Sequence, residues 1–151
     1  MTPRPSCPSR AARRLFGLSV AVLAVSGLAQ MPIFKRYGIA DLPGLAWTAD
    51  YHFTHLLHYA AAAVLLFFLF RAALLRLAEK RPLPAGRWLL AGIWAGLVLT
   101  GLALVVKNLP HWSLGPGPTK YVDWTHLGLA VLLGVMALAR LARRRAAGQH
   151  E

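Results

Sequence analysis

The residues of this sequence that could do chemistry are its histidines, because the chain has few acidic residues and a single cysteine, Cys7. One cysteine excludes an internal disulfide and the CxxC or CxxCH motifs that hold zinc, iron–sulfur clusters or covalently bound heme. Any cofactor is therefore expected to be held by histidine or by a partner chain. The histidines are His52, His55, His58, His111, His126 and His150. We expect His52 and His111 to be interfacial polar residues and His150 to be solvated.

His58 and His126 are the strongest candidates, because each lies inside a long apolar stretch. A histidine within a membrane span is costly unless it faces the protein interior and has a partner. Counting back about 20 residues, one bilayer crossing, from Arg71 and Arg140 gives the outer boundary of each span. His58 then lies roughly 10 Å and His126 roughly 9 Å below the outer surface. Neighbouring helices pack about 8–10 Å apart, so two facing imidazoles at one depth could clamp a flat ring, as in bis-histidine heme.

The sequence has fewer of the residues that chemistry other than heme ligation would need. Zinc or copper would usually need more ligands at short range, and a proton pathway would need buried acidic residues, which the inner parts of the apolar stretches lack. His55, turned about 60° from His58 on the same helix, could be the ligand instead, or could contact a heme propionate or a quinone. Lys35, Arg36 and Lys107 could bind propionates or the acidic surface of a partner. Hydrogen bonding between helices is the interpretation that needs no cofactor.

Four apolar stretches could position these side chains. Each is long enough for the about 20 residues that a helix needs to cross a hydrocarbon layer ~30 Å thick, and none carries a charge in its middle. We therefore predict an all-α integral membrane four-helix bundle. The predicted spans are Leu15–Phe34, Tyr51–Leu77, Trp88–Val106 and Val122–Leu141.

The predicted transmembrane domain covers residues 15–141, between an arm at 1–14 and a basic tail at 142–151. Prolines and glycines at 115–118 are expected to keep the segment Lys107–Tyr121 out of helical conformation. The end of the tail is expected to fray, and the glycines of the third and fourth spans are expected to permit close helix packing. We expect no internal repeat and no second domain.

The orientation follows from the distribution of Lys and Arg. Most of the chain's 17 basic residues fall on one side of this layout, in the arm, the basic turn before the third span and the tail. That side is predicted to be cytoplasmic, which places both termini in the cytoplasm. The basic residues of the other side are Lys35, Arg36, Lys107 and Lys120.

The net charge of +12 has a second possible meaning, since strongly basic proteins often bind nucleic acid. Here the basic residues fall in clusters between apolar runs, and 57% of the chain is hydrophobic. Clusters of this kind are typical of membrane topology, so no nucleic-acid partner is predicted.

The first span has a competing interpretation as a cleavable signal peptide. Arg13 and Arg14 precede a short apolar run, with small residues at Gly27 and Ala29. The apolar run continues to Phe34 and a basic pair, which suits a full span better than a processing site. Cleavage would leave three helices and place the mature N-terminus outside.

Three short strings carry a resemblance to a known family. T-H-L-L-H-Y-A-A-A opens the second span, W-T-H-L-G opens the fourth, and Q-M-P-I-F-K-R-Y leaves the first. From about Leu15 to Arg140 the chain resembles the membrane-bound b-type cytochrome subunits of bacterial respiratory complexes, the four-helix group of the formate dehydrogenase and nickel–iron hydrogenase cytochrome b subunits. The resemblance implies an outer heme held by His58 and His126. It also implies a second heme nearer the cytoplasm, for which the histidines of the first and fourth helices are missing here.

The histidines and the resemblance together predict a non-catalytic electron-transfer subunit. One heme b near the outer face would pass electrons between the quinone pool and a periplasmic redox partner. Iron–sulfur or multiheme subunits of a membrane complex are the expected partners. The alternatives are a cofactor-free membrane anchor or assembly subunit, whose histidines only hydrogen-bond between helices, and a small transporter, which the absence of buried acidic residues disfavours.

Overall fold

The computed structural model describes residues 9–31, 33–80, 82–112 and 115–148, and every regular element within these ranges is helical. The α-helices are α1 (Arg10–Ala29), α2 (Ile33–Arg36), α3 (Tyr51–Ala78), α4 (Trp88–Val106) and α5 (Pro116–Ala147). Short 3-10 turns lie at Ile39–Asp41, Ala46–Ala49 and Ala85–Arg87.

Four of these helices, α1, α3, α4 and α5, are long and apolar enough to cross a membrane. Large apolar side chains such as Leu18, Phe67, Leu99 and Leu138 point outward with at least 60% of their surface exposed. Such apolar surface suits contact with lipid rather than with water. The predicted all-helical class and the four candidate spans are thus confirmed.

The chain divides into two compact units, Met1–Arg81 and Pro82–Glu151. In the first unit α1 and α3 pack antiparallel: Phe16 near the start of α1 meets Phe68 near the end of α3, with 6.0 Å between ring centroids. Both helices begin at a side-chain cap, since Ser9 accepts from the Ala12 backbone amide and Asp50 from that of Phe53.

The interface between α1 and α3 contains small and hydroxyl-bearing side chains. Ser19 and Ser26 are buried on α1, and Thr54, Ala61 and Leu65 on α3. The serine and threonine hydroxyls donate to backbone carbonyls one turn earlier in their own helices, so none of them is an unsatisfied donor. Small side chains of this kind let two helices approach closely in lipid.

In the second unit α4 and α5 also pack antiparallel. Ile93 is buried on α4, and Thr100 of α4 meets His126 of α5. A Cβ added at Gly96 would come within 2.8 Å of Leu129, and one at Gly101 within 3.3 Å of His126. Close packing at these two glycines is therefore confirmed. The other glycines of the third and fourth spans, Gly92, Gly128 and Gly134, would meet nothing within 4 Å.

Both ends of α1 and of α5 differ from the predicted ones. α4 coincides with the predicted third span, but α1 ends at Ala29, before Pro32, which cannot continue a helix. α5 begins at Pro116, so the prediction that all of Lys107–Tyr121 is non-helical was wrong. Proline is well tolerated in the first turn of a helix because its missing amide proton has no partner there. α5 also continues to Ala147, and the end of the tail, residues 149–151, lies outside the described residues.

The two units share a short internal repeat. Ser26-Gly27-Leu28-Ala29 of α1 corresponds to Thr100-Gly101-Leu102-Ala103 of α4, and the buried Ser19 and Ile93 each lie seven residues before the hydroxyl residue. In each unit the second long helix faces the first long helix with residues that recur at heptad spacing. On α3 this face is Thr54, His58, Ala61 and Leu65; on α5 it is Val122, His126, Leu129 and Leu133.

Candidate functional site

His58 lies against the end of α1. Its Nδ1 is 3.0 Å from the hydroxyl oxygen of Ser26, a residue with no exposed surface. The same oxygen is 2.7 Å from the carbonyl oxygen of Val22, one turn earlier in α1. Ser26 thus connects the α3 imidazole to the backbone of α1.

This contact assigns the proton on His58. A hydroxyl has one proton to give, and a carbonyl oxygen can only accept. The Ser26 proton therefore goes to the Val22 carbonyl at the shorter distance, and the Ser26 oxygen accepts from Nδ1–H of His58. The hydrogen-bond network assigns the Nδ1–H tautomer, which places the lone pair on Nε2. A histidine that binds a metal through one ring nitrogen usually has the other anchored in this way.

His126 has the same arrangement in the second unit. The Thr100 hydroxyl donates to the Gly96 carbonyl at 2.7 Å, and its oxygen lies 2.8 Å from Nδ1 of His126. The same proton accounting assigns Nδ1–H to His126 and leaves the Nε2 lone pair as the atom that can bind a metal.

A glycine follows Ser26 and another follows Thr100, and each glycine contacts the imidazole of its unit. A Cβ added at Gly27 would be 3.3 Å from Cε1 of His58, and one added at Gly101 would be 3.3 Å from Cε1 of His126. Contacts this short are tighter than most Cβ contacts in proteins, so the ring would have to shift by a few tenths of an ångström if either glycine gained a side chain. Each unit therefore has a hydroxyl–glycine pair that fixes one imidazole.

Sequence reasoning found both histidines but missed Ser26, Gly27, Thr100 and Gly101 as their partners. The detectable signal was the repeated string of a hydroxyl residue followed by G-L-A, once near the end of each unit's first helix. Comparing the two halves of the chain would have paired each string with the histidine that follows it.

His55 has different surroundings from His58. Its Nδ1 lies 3.1 Å from Oε1 of Gln30, and its ring lies between Tyr51 and Tyr59, with centroids at 5.2 and 4.3 Å. The amide nitrogen of Gln30 in turn donates to the Ser26 carbonyl at 3.4 Å. His55 is therefore part of a hydrogen-bonded group at the end of α1.

The remaining histidines and cations are placed as follows. His52 and His111 are exposed, and His150 lies outside the described residues. Lys107 forms an ion pair with Asp123 of α5, with 3.3 Å between Nζ and Oδ1. The cations Lys35 and Arg36 are exposed on α2.

Clusters of three or more His, Cys, Asp or Glu side chains able to hold a metal ion do not occur within the described ranges. A metal bound only by protein side chains would need such a cluster.

No match was found when the chain was compared with protein-family models, with curated proteins and with solved structures.

Proposed function

We propose that this chain is a membrane cytochrome b subunit, with His58 and His126 as axial ligands of a heme b. The observation that supports it best is the repeated arrangement in which a helix hydroxyl and a glycine hold an imidazole with its proton on Nδ1. A hydrogen-bonding role alone would not require the same ring nitrogen to be anchored in both units. The function that follows is electron transfer between the quinone pool and a periplasmic redox partner.

The donor set fits heme b. Two neutral imidazoles, each with an anchored Nδ1–H, are the ligands of a bis-histidine heme, and no cysteine is needed. The heme would supply reversible one-electron chemistry. The protein's part is to bind and orient it: Ser26 and Thr100 fix the ring planes, Gly27 and Gly101 admit the rings, and the apolar helices exclude water. We propose that Lys35 and Arg36, which are exposed, contact propionates or the acidic surface of a partner. We propose the same role for Lys107, which forms an ion pair with Asp123.

The direct test is the spectrum of the purified protein. Expression with an adequate heme supply should give a reduced-minus-oxidised difference spectrum with the bands of b-type heme. A purified, folded protein that lacks these bands would overturn the proposal in favour of a cofactor-free anchor or assembly subunit.

Removing the anchoring hydroxyls should weaken heme binding. In Ser26→Ala and Thr100→Val the Nδ1–H loses its acceptor, and changes of this kind typically cost about 10–100-fold in metal affinity. Heme titration of the apoprotein measures the loss. Ser19→Ala is the matched control, because Ser19 is also buried on α1 but its hydroxyl donates to the Leu15 carbonyl. Equal heme affinity in Ser26→Ala and Ser19→Ala would contradict the anchoring role.

The orientation belongs to the same proposal. Antiparallel packing within each unit brings basic residues of its two long helices to one end: Arg13 and Arg76 in the first unit, Arg87 and Arg144 in the second. The positive-inside rule makes these ends cytoplasmic. His58 and His126 then lie in the outer half of the membrane, and both termini lie inside the cell.

Reporter fusions test this topology. Alkaline phosphatase, which is active only outside the cytoplasm, should be active when fused after Leu45 or Leu109 and inactive when fused after Lys80. The reverse pattern would place the histidines on the cytoplasmic side and remove the periplasmic partner from the proposal.

A further inference from the structure

A groove runs along α3 near the end of the helix, and its walls are apolar except for one arginine. We call it the Arg71 groove; the side chains that line it are Phe67, Phe70, Arg71, Leu74 and Leu75. These residues recur every three or four positions, so they share one face of α3. Leu74 lies half a turn around the helix from Leu65, which is buried on the face that meets α1. The Arg71 groove is therefore on the face of α3 that points away from α1.

A second arginine lies at the level of Arg71. Phe16 of α1 meets Phe68 of α3. Because the two helices are antiparallel, three residues beyond this contact bring α1 to Arg13 and α3 to Arg71. Both arginines are exposed. This end of the first unit thus has two guanidinium groups at about the same level, one of them on the wall of an apolar groove.

The depth of Arg71 suits contact with lipid headgroups. α3 begins at Tyr51, and a helix crosses a hydrocarbon layer ~30 Å thick in about 20 residues, so the crossing ends near Arg71. Arginines at the ends of membrane helices extend their side chains to the headgroups. The internal repeat has an arginine at the same position, since Arg87 occupies in the second unit the place that Arg13 occupies in the first.

The charge around the Arg71 groove favours an anion. Of the acidic residues in 1–81, Asp41 and Asp50 precede α3 and lie toward its opposite end. Glu79 follows Arg71 by two turns of helix, about 12 Å along the axis. Basic residues are more numerous at this end of the unit; they include Arg10, Arg13, Arg14, Arg71, Arg76 and Lys80. A guanidinium binds a phosphate group through two parallel hydrogen bonds, which makes phosphate the anion that fits best.

We propose that the Arg71 groove binds an anionic phospholipid, with one acyl chain along the apolar wall and the phosphate at the guanidinium groups of Arg71 and Arg13. A phospholipid satisfies both parts of the site, because its apolar chain and its charged group are joined at the boundary where Arg71 lies. A transmembrane helix of a partner could fill the groove, but it would have to bring an acidic side chain to this depth at a cost. The inference goes beyond the proposed function, since it requires no heme.

Native mass spectrometry of the purified full chain tests the site, with phosphatidylglycerol and phosphatidylcholine of identical acyl chains as probes. The protein should retain phosphatidylglycerol in preference. Arg71→Gln removes the charge from an exposed position and should weaken phosphatidylglycerol binding about fivefold. Arg71→Lys should keep most of the binding, because an ammonium also pairs with phosphate. Neither variant should change the content or the spectrum of any heme that the protein holds.

Two further variants separate the groove from the general charge of the protein. Leu74→Trp fills the groove and should weaken phosphatidylglycerol binding although Arg71 is still present. Arg145→Gln is the control, because Arg145 is an exposed arginine in the last turn of α5, and it should leave the binding unchanged. Inorganic phosphate at millimolar concentration should not displace the lipid, since it has no chain to occupy the groove.

Four results would overturn the lipid site. Equal losses in Arg71→Gln and Arg145→Gln would mean that net charge alone attracts the lipid. Equal retention of the two lipids by the unaltered protein would remove the role of the arginines, and unchanged binding in Leu74→Trp would remove that of the groove. A stable dimer that retains no lipid, and that Leu74→Trp dissociates, would identify a second copy of the chain as the occupant.

Discussion

Replacing His126 or His58 with alanine is expected to reduce heme content to less than a tenth, with loss of the b-type difference spectrum. In the proposed site both imidazoles would hold the heme, and each is fixed by a hydroxyl of the neighbouring helix. Heme content per purified protein and the reduced-minus-oxidised spectrum measure the loss. His111→Ala should keep the full spectrum, because His111 is exposed and lies outside the helices.

Chemical rescue separates lost ligation from misfolding. In His126→Gly the ring leaves a space beside Gly101 and Thr100, and free imidazole in the buffer should restore part of the heme binding. A His126→Ala protein with full heme occupancy and an unchanged low-spin spectrum would show that the ligand assignment is wrong. His55→Ala should have a milder effect on heme than His58→Ala, and the opposite order would exchange their roles.

The second large effect is expected from enlarging the glycines under the imidazoles. A Cβ at Gly101 or Gly27 is already within 3.3 Å of a histidine Cε1, and the further atoms of leucine have no space unless the ring moves. Overpacking of this kind typically costs about 1–3 kcal/mol. Gly101→Leu and Gly27→Leu should therefore lose most of their heme and unfold at lower temperature in detergent.

Each of these variants has a matched control on its own helix. Gly92 of α4 and Gly17 of α1 would meet nothing within 4 Å on gaining a Cβ, so Gly92→Leu and Gly17→Leu should keep heme content and thermal stability. If the control and the test variant of a helix lost heme equally, the effect would come from the helix in general. The close contact between glycine and histidine would then have no special role.

The membrane-spanning helices could be predicted because they depend on the average hydropathy of short segments of the chain. Hydropathy over about 20 residues determines whether a helix can span a membrane, and the third span was predicted to the residue as Trp88–Val106. The helix ends were harder. Pro116 was taken as a breaker, although proline at the first position of a helix is favourable.

The partners of the histidines could not be predicted in the same way. Ser26 and His58 are far apart in sequence, and their contact depends on the register and rotation of two antiparallel helices. Hydropathy is insensitive to both. His55 and His58 differ by only three positions, yet one meets Gln30 and the other meets Ser26. The two positions are about 60° apart around α3 and roughly 4.5 Å apart along it, so the rotation and register of the helix decide which histidine meets which partner.

The sequence by itself determined that the chain has four apolar helices and which histidines lie within them, because both are properties of residue type and spacing. Only the tertiary structure decided which nitrogen of His58 and His126 carries the proton. A tautomer is set by the nearest acceptor, and that acceptor comes from another helix. The same is true of the internal repeat: the two hydroxyl–glycine strings acquire a meaning only when each is seen to hold an imidazole.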